Sequence, residues 1–157
     1  MNIFYLDDNP ALAAKYHCNK HVVKMILETA QLLCSAYHMM SNTELKIPYK
    51  LTHKNHPSAQ WVRESRANFD WLCELGLELC LEYTRRYCKI HKTKAVIEWC
   101  IDNSDRLPFK QINPTPVRLC MPDECKINGQ PVQSYRNYYK EYKSHIAIWD
   151  STPVWWT

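Results

Sequence analysis

His17, His21, Lys24, Glu28 and Gln31 follow one another at spacings of four, three, four and three. At 3.6 residues per turn this spacing projects all five side chains from one face of a helix. A carboxylate, an amine and two imidazoles in one row supply the groups that proton transfer requires. Lys20 adds a neighbouring cation. A solvated helix face accounts for the same row, since Lys24 and Glu28 also form an ordinary i, i+4 ion pair. A second cluster is Thr52-His53-Lys54-Asn55-His56-Pro57. Asn55 or His56 can cap a helix opened by Pro57. That leaves imidazoles beside a helix N-terminus, where backbone N–H groups attract anions. His56 joins Glu28, His21 and Lys24 as a candidate catalytic group, and His53 is a candidate anion contact. Pooled as ligands, His17, His21, His53 and His56 describe a weaker alternative, a metal-dependent nuclease.

Cations continue along the chain. Arg63, Arg66 and Asp70 are spaced to form a surface ion-pair row or to grip a phosphate. Arg85, Arg86, Lys89, His91, Lys92 and Lys94 are a basic run flanked by Tyr83 and Tyr87. It serves either as a favourable helix C-terminus or as a phosphate-tracking patch. Tyr135, Arg136, Tyr138, Tyr139, Lys140, Tyr142 and Lys143 repeat the mixture of rings and cations. Such helices can stack on bases, although core packing explains most such tyrosines. Lys20, His53, Arg63, Lys92 and Arg136 are the candidate phosphate or nucleic-acid contacts.

The elements that must position these groups are mainly helical. Residues 2–6 read as a short strand or an extended arm. Asn9-Pro10 reads as a helix start, and helical periodicity continues to about Met40 with a break near His17–Asn19. Residues 41–55 are polar and carry Pro48, so they read as a loop. Pro57 opens a long helix predicted to reach about Tyr87; a shorter one spans Thr93–Asn103. Five prolines in 105–131 predict an extended or looped segment. A last helix is predicted over Val132–Trp149, followed by a tail whose Trp155 and Trp156 suit docking. The expectation is a compact helical bundle in one domain, residues 1–157, with long irregular Pro-containing connections.

Composition narrows the chemistry. Only two glycines occur, Gly76 and Gly129, which excludes a Gly-rich phosphate loop and a dinucleotide fingerprint. Neither a cofactor nor a resident metal is expected. The formal charge of +4 and pI of about 8.6 agree with an anionic partner, a nucleotide or nucleic acid. The start, Met1 to Asp8, lacks a basic leader, so a cytoplasmic location is expected, in the host cell if the protein is viral. Reduced thiols are then the default for the eight cysteines, with no Cys-x-x-Cys pair among them. No apolar run reaches membrane-spanning length.

The run His17-Cys-Asn-Lys-His-Val-Val-Lys-Met-Ile-Leu-Glu28, the turn Thr52–Pro57, Met121-Pro-Asp-Glu and Tyr135-Arg-Asn-Tyr-Tyr139 resemble a group of small bacteriophage proteins that mostly lack an assigned role. More distantly, the Glu28 helix and the Asn-His-Pro-to-Trp61 segment resemble the pyrimidine dimer DNA glycosylase (endonuclease V) superfamily. That resemblance implies a compact helical bundle. It implies that an N-terminal α-amine attacks sugar C1′ and forms an imine, a helix-borne glutamate assists, and β-elimination cuts the backbone. Glu28 falls at the glutamate position and His21 at a histidine position. Gln31 falls where the family has an arginine, and Lys24 where it has a small residue. Asn2 stands where the family exposes a small N-terminal residue after methionine is removed. The implied function is a DNA N-glycosylase/AP lyase acting on a damaged or modified nucleotide. The alternative is a non-catalytic phage protein that holds a nucleotide, including a host immune signal.

Overall fold

The first residues of the chain run through the interior. In the computed structural model, which describes residues 1–42 and 44–157, residues 2–6 are an extended arm and pair with no strand. Ile3, Phe4, Tyr5 and Leu6 are all buried, so a consecutive apolar run is covered on every side. Asn9 then caps helix α1 (Pro10–Tyr16), its side chain accepting from Ala11 and Leu12 N–H. Proline at the first helical position presets the backbone angle and needs no donor there.

Helix α2 (Asn19–Met40) is the spine, roughly 33 Å long at 1.5 Å per residue. It packs against α3 (Pro57–Glu64), α4 (Arg66–Tyr87) and α5 (Lys94–Asp102), while α1 lies along α4. Helix α6 (Pro131–Tyr142) follows the proline-rich segment. Among the described residues there are six α-helices, three single-turn 3-10 segments and no strand, so the protein is mainly α. None of these helices is long and apolar enough to cross a membrane.

Three boundaries depart from the sequence periodicity or sharpen it, each because another part of the chain satisfies the freed backbone groups. Helix α1 ends at His17, and the buried Arg86 guanidinium donates to the carbonyls of Lys15 and His17. That satisfies terminal carbonyls which a helix end leaves unpaired. The predicted 57–87 helix breaks at Ser65, whose hydroxyl accepts from Asn68 N–H. The loop carbonyls of Gln111 and Ile112 accept from Arg66 and Ala67 N–H, so two more orphan donors of α4 are met. The last helix stops at Tyr142 rather than Trp149. Residues beyond it turn away so that Ile148 C=O accepts from Asn19 N–H, at the start of α2. The tail docks: Trp155 packs edge-on against Tyr16, and Trp156 lies against Trp149.

Gly76 sets how close α4 comes to its neighbours. A methyl group there would meet Ile97 Cδ1 at 3.0 Å and Thr29 Cγ2 at 3.1 Å, so it would be squeezed between α5 and α2. Alanine gains about 1 kcal/mol in helix propensity. Overpacking in a closed core costs about 1–3 kcal/mol. Gly76→Ala is therefore expected to lose about 1 kcal/mol net, read as a lower denaturant midpoint at unchanged slope.

Candidate active site

Glu28 faces inward from the middle of α2, its side chain 11% exposed. A buried carboxylate must find donors, because losing water without replacement is costly. The N-terminal arm supplies them. The Met1 α-amine lies 3.4 Å from Glu28 Oε1, and Asn2 N–H donates to the same oxygen at 3.1 Å. Lys24, one turn earlier, reaches Oε2 at 3.7 Å. Asn2 is itself fixed: its side-chain amide donates to Cys120 C=O, and its carbonyl oxygen accepts from Tyr135 O–H. The Met1 side chain is only 3% exposed, so it anchors the chain start while the amine faces Glu28.

Around this pair is a polar cavity of about 130 Å³, lined by Met1, Asn2, His21, Lys24 and Glu28. Tyr138 and Lys143, from α6 and the residue after it, close the far wall. The Lys143 ammonium lies 5.1 Å from the centre of the Tyr138 ring. One carboxylate thus shares a small space with an α-amine and two lysines. An anionic sugar-phosphate suits that charge balance.

His21 belongs to the cavity as a neutral donor. It stacks on Phe4, ring centroids 4.4 Å apart. Its Nδ1 lies 2.6 Å from the Tyr139 hydroxyl. Burial first, then the charges of His17, Lys143, Lys24 and His145, push its titration down to about 3. Burial also raises Tyr139 well above the usual phenol range, so the hydroxyl keeps its proton. The short contact is best satisfied by Tyr139 O–H donating to Nδ1, which leaves the proton on Nε2.

His56 caps α3, its Nδ1 accepting from Ser58 N–H at 3.1 Å. Its titration is lowered by burial first, then by the N-terminal ammonium and His53, with Glu28 opposing. His56 therefore shares an electrostatic neighbourhood with the amine and the carboxylate. It does not line their cavity.

The other candidates disperse. His17 is fully buried, with Nδ1 2.6 Å from Ala13 C=O and Nε2 without a partner. Its placement in the core comes from the break between α1 and α2. Among the described residues no three His, Cys, Asp or Glu side chains converge as a metal site would require. Lys20 and His53 are exposed and outside the cavity. Arg63 lines a separate cavity of about 350 Å³ with Lys110 and Gln111, one guanidinium nitrogen buried without an acceptor. Lys92 lines a groove on the outer side of α2. Arg136 is held inside the fold: Nε donates to Leu6 C=O, Nη2 pairs with Asp7, and the guanidinium lies over the Trp155 ring at 5.1 Å. Gln31 lines a neighbouring groove with Tyr49 and Lys50.

Asn2, Tyr138 and Lys143 line the cavity although none of them is among the site residues expected from the sequence. The only available signal for the last two was the mixture of rings and cations along α6.

A model of the pyrimidine dimer DNA glycosylase family matches residues 1–96, and the chain belongs to that family. No curated protein matches. No solved structure matches. The matched segment contains the arm, Glu28 and His56, whereas Tyr138, Tyr139 and Lys143 lie beyond it.

The buried histidines give stability a defined pH dependence. His17 is held at about 4 and His21 at about 3, both below the ordinary 6.5. Between those values the unfolded chain binds more protons than the folded one. Stability is fully present above about pH 6.5 and falls as pH drops towards 3. Thermal melts at stepped pH are expected to show this decline, with a shallower slope in His21→Phe. An equal slope in the variant would remove His21 from the account.

Proposed function

We propose that this chain is a DNA glycosylase and AP lyase that attacks a damaged or modified nucleotide with an α-amine held at Glu28. The observation that carries the reading is the shared carboxylate oxygen, 3.4 Å from the Met1 amine and 3.1 Å from Asn2 N. If Met1 is removed, the nitrogen of Asn2 becomes the amine and is already beside the same acceptor. Lys24 is the poorer candidate: its side chain is 70% exposed on a flexible stem, whereas Met1, 3% exposed, holds its amine in place at the carboxylate. As a class, α-amines are also weaker bases than lysine side chains, which leaves more free base at neutral pH.

The amine nitrogen bonds to sugar C1′ as the bond from C1′ to the base nitrogen breaks. The base leaves with the glycosidic electron pair and takes up a proton. Glu28 takes protons from the amine, and the carboxylate's negative charge stabilises the oxocarbenium-like sugar on the way. The C1′–O4′ bond then breaks, O4′ taking up a proton as the ring opens and the nitrogen becomes an imine. Loss of a C2′ proton then expels the 3′ phosphate by β-elimination, which breaks the C3′–O bond. His21 Nε2–H donates to the sugar-phosphate without changing charge, and Lys24 and Lys143 hold phosphate. Extrusion of the target nucleotide makes C1′ reachable, and weakened stacking around a lesion lowers that cost.

Borohydride treatment of a mixture with abasic-site or pyrimidine-dimer DNA is expected to yield a covalent adduct on the N-terminal peptide. Intact mass of the untreated protein assigns the amine to residue 1 or 2. Glu28→Gln is expected to cut strand cleavage by about 10²–10⁴-fold with the fold retained. No adduct and no cleavage from well-folded protein on either DNA would overturn the proposal. A free nucleotide that stabilises the protein and is recovered intact would then assign the cavity to binding.

A further inference from the structure

The outer face of α2 carries a larger concavity than the one at Glu28. It has a volume of about 680 Å³ and lies between α2 and residues 89–93, with Tyr49 and Tyr83 in its walls. Lys24 lines both this groove and the Glu28 cavity, so the two meet at one side chain. A further concavity of about 310 Å³ shares Leu27 and Tyr49 with the groove and extends to Lys50. The three adjoin one another through shared lining residues and outline a path along α2.

The chemistry of the path is uneven in an informative way. Val23, Leu27 and Ile90 are exposed on it, Ile90 at 73%. Lys89 and Lys92 stand among them, and among the described residues neither is in an ion pair. Among the described residues no carboxylate lines the groove. Apolar patches and rings between unpaired cations, with no negative charge, suit a ligand that alternates flat apolar faces with anions. A run of nucleotides has that pattern.

The walls are already fixed. His91 Nδ1 accepts from Thr93 N–H, which leaves Nε2–H to donate to Val23 C=O at 3.2 Å. This ties the 89–93 segment to α2. Tyr49 and Thr93 hydroxyls are 3.0 Å apart, and the Tyr83 ring packs edge-on against His91 at 4.8 Å. A pre-built groove lowers the ordering cost of binding on the protein's side. In a duplex, base faces are stacked and hidden, so exposed Ile90 and the tyrosine rings would have nothing apolar to meet. In single-stranded DNA the faces are free.

We propose that this groove holds an unpaired DNA strand leading into the Glu28 cavity, so that the substrate is a lesion in single-stranded or locally unwound DNA; its link to catalysis rests on the glycosylase reading above. Lys89 and Lys92 contact phosphates, Ile90 and Tyr83 meet base faces, and Lys24 marks the entrance to the cavity.

Fluorescence anisotropy tests the groove separately from the chemistry. Labelled single-stranded and duplex oligonucleotides of one sequence are titrated with wild-type protein and with the Lys89→Ala/Lys92→Ala double variant, both changes being at exposed positions. The single strand is expected to bind about tenfold more tightly than the duplex. The double variant is expected to flatten the slope of log affinity against log salt by about 1.4, at roughly 0.7 per lost phosphate contact. Ile90→Glu is expected to lower single-strand affinity at least as far. Equal affinity for duplex and single strand, or an unchanged salt slope, overturns the groove proposal even if imine trapping succeeds. Groove-dependent binding without any trapped adduct supports the groove and overturns the catalytic reading. Tighter binding of the matching RNA strand overturns DNA as the occupant.

Discussion

A carboxylate on the inward face of the central helix must be met by donors, and the beginning of the chain meets it. Glu28 is held by the Met1 amine, the Asn2 N–H and Lys24. Breaking a buried pair by removing one partner leaves a charge stranded in low dielectric. The arm therefore has to reach α2 along a defined path. Ile3 to Leu6 provide it by burying four consecutive side chains, and Asn2 is bolted to Cys120 and Tyr135. Structure and candidate chemistry rest on the same contact: the interaction that anchors the chain start also sets an amine beside a proton acceptor.

The surroundings sort charge by burial. His17, His21 and Tyr139 are enclosed, and burial pushes each towards its neutral form. His21 and Tyr139 are hydrogen-bonded to each other at the cavity, while His17 bonds Ala13 C=O in the core. Lys24 and Lys143 stand at the cavity's lining, Lys24 well exposed to water. The arginines of the basic stretches divide in the same way. Arg86 is spent on the end of α1 and on Glu82, and Arg136 on the arm. Lys89 and Lys92 stay outside and face the groove. Guanidinium forks suit fixed, multiply bonded positions, whereas a lysine ammonium is a hydrated point charge on a flexible stem.

Much of the candidate site was legible because a helix repeats. The spacing of His21, Lys24 and Glu28 on one turn pattern predicted a shared face, and all three line the cavity. Asn55 or His56 read as the cap of a helix opened by Pro57, and it is His56 that caps α3. What periodicity missed was local. Ser65 is a sufficient cap to restart a helix, but its effect depends on carbonyls of Gln111 and Ile112 arriving from far along the chain. His17 fitted the polar row, yet the break after it turns the ring into the core.

The sequence alone determined the helical class, the scarcity of glycine that excludes a phosphate loop, and the row of acid, amine and imidazole on α2, since each follows from composition or from a fixed 3.6-residue repeat. Tertiary structure decided which amine meets Glu28, because a one-dimensional pattern does not say where a free chain start is packed. It also decided that Tyr138 and Lys143 complete the cavity, more than a hundred residues after Glu28. Partners so far apart are chosen by packing and by the need to satisfy buried polar groups, and neither leaves a periodic trace in the chain.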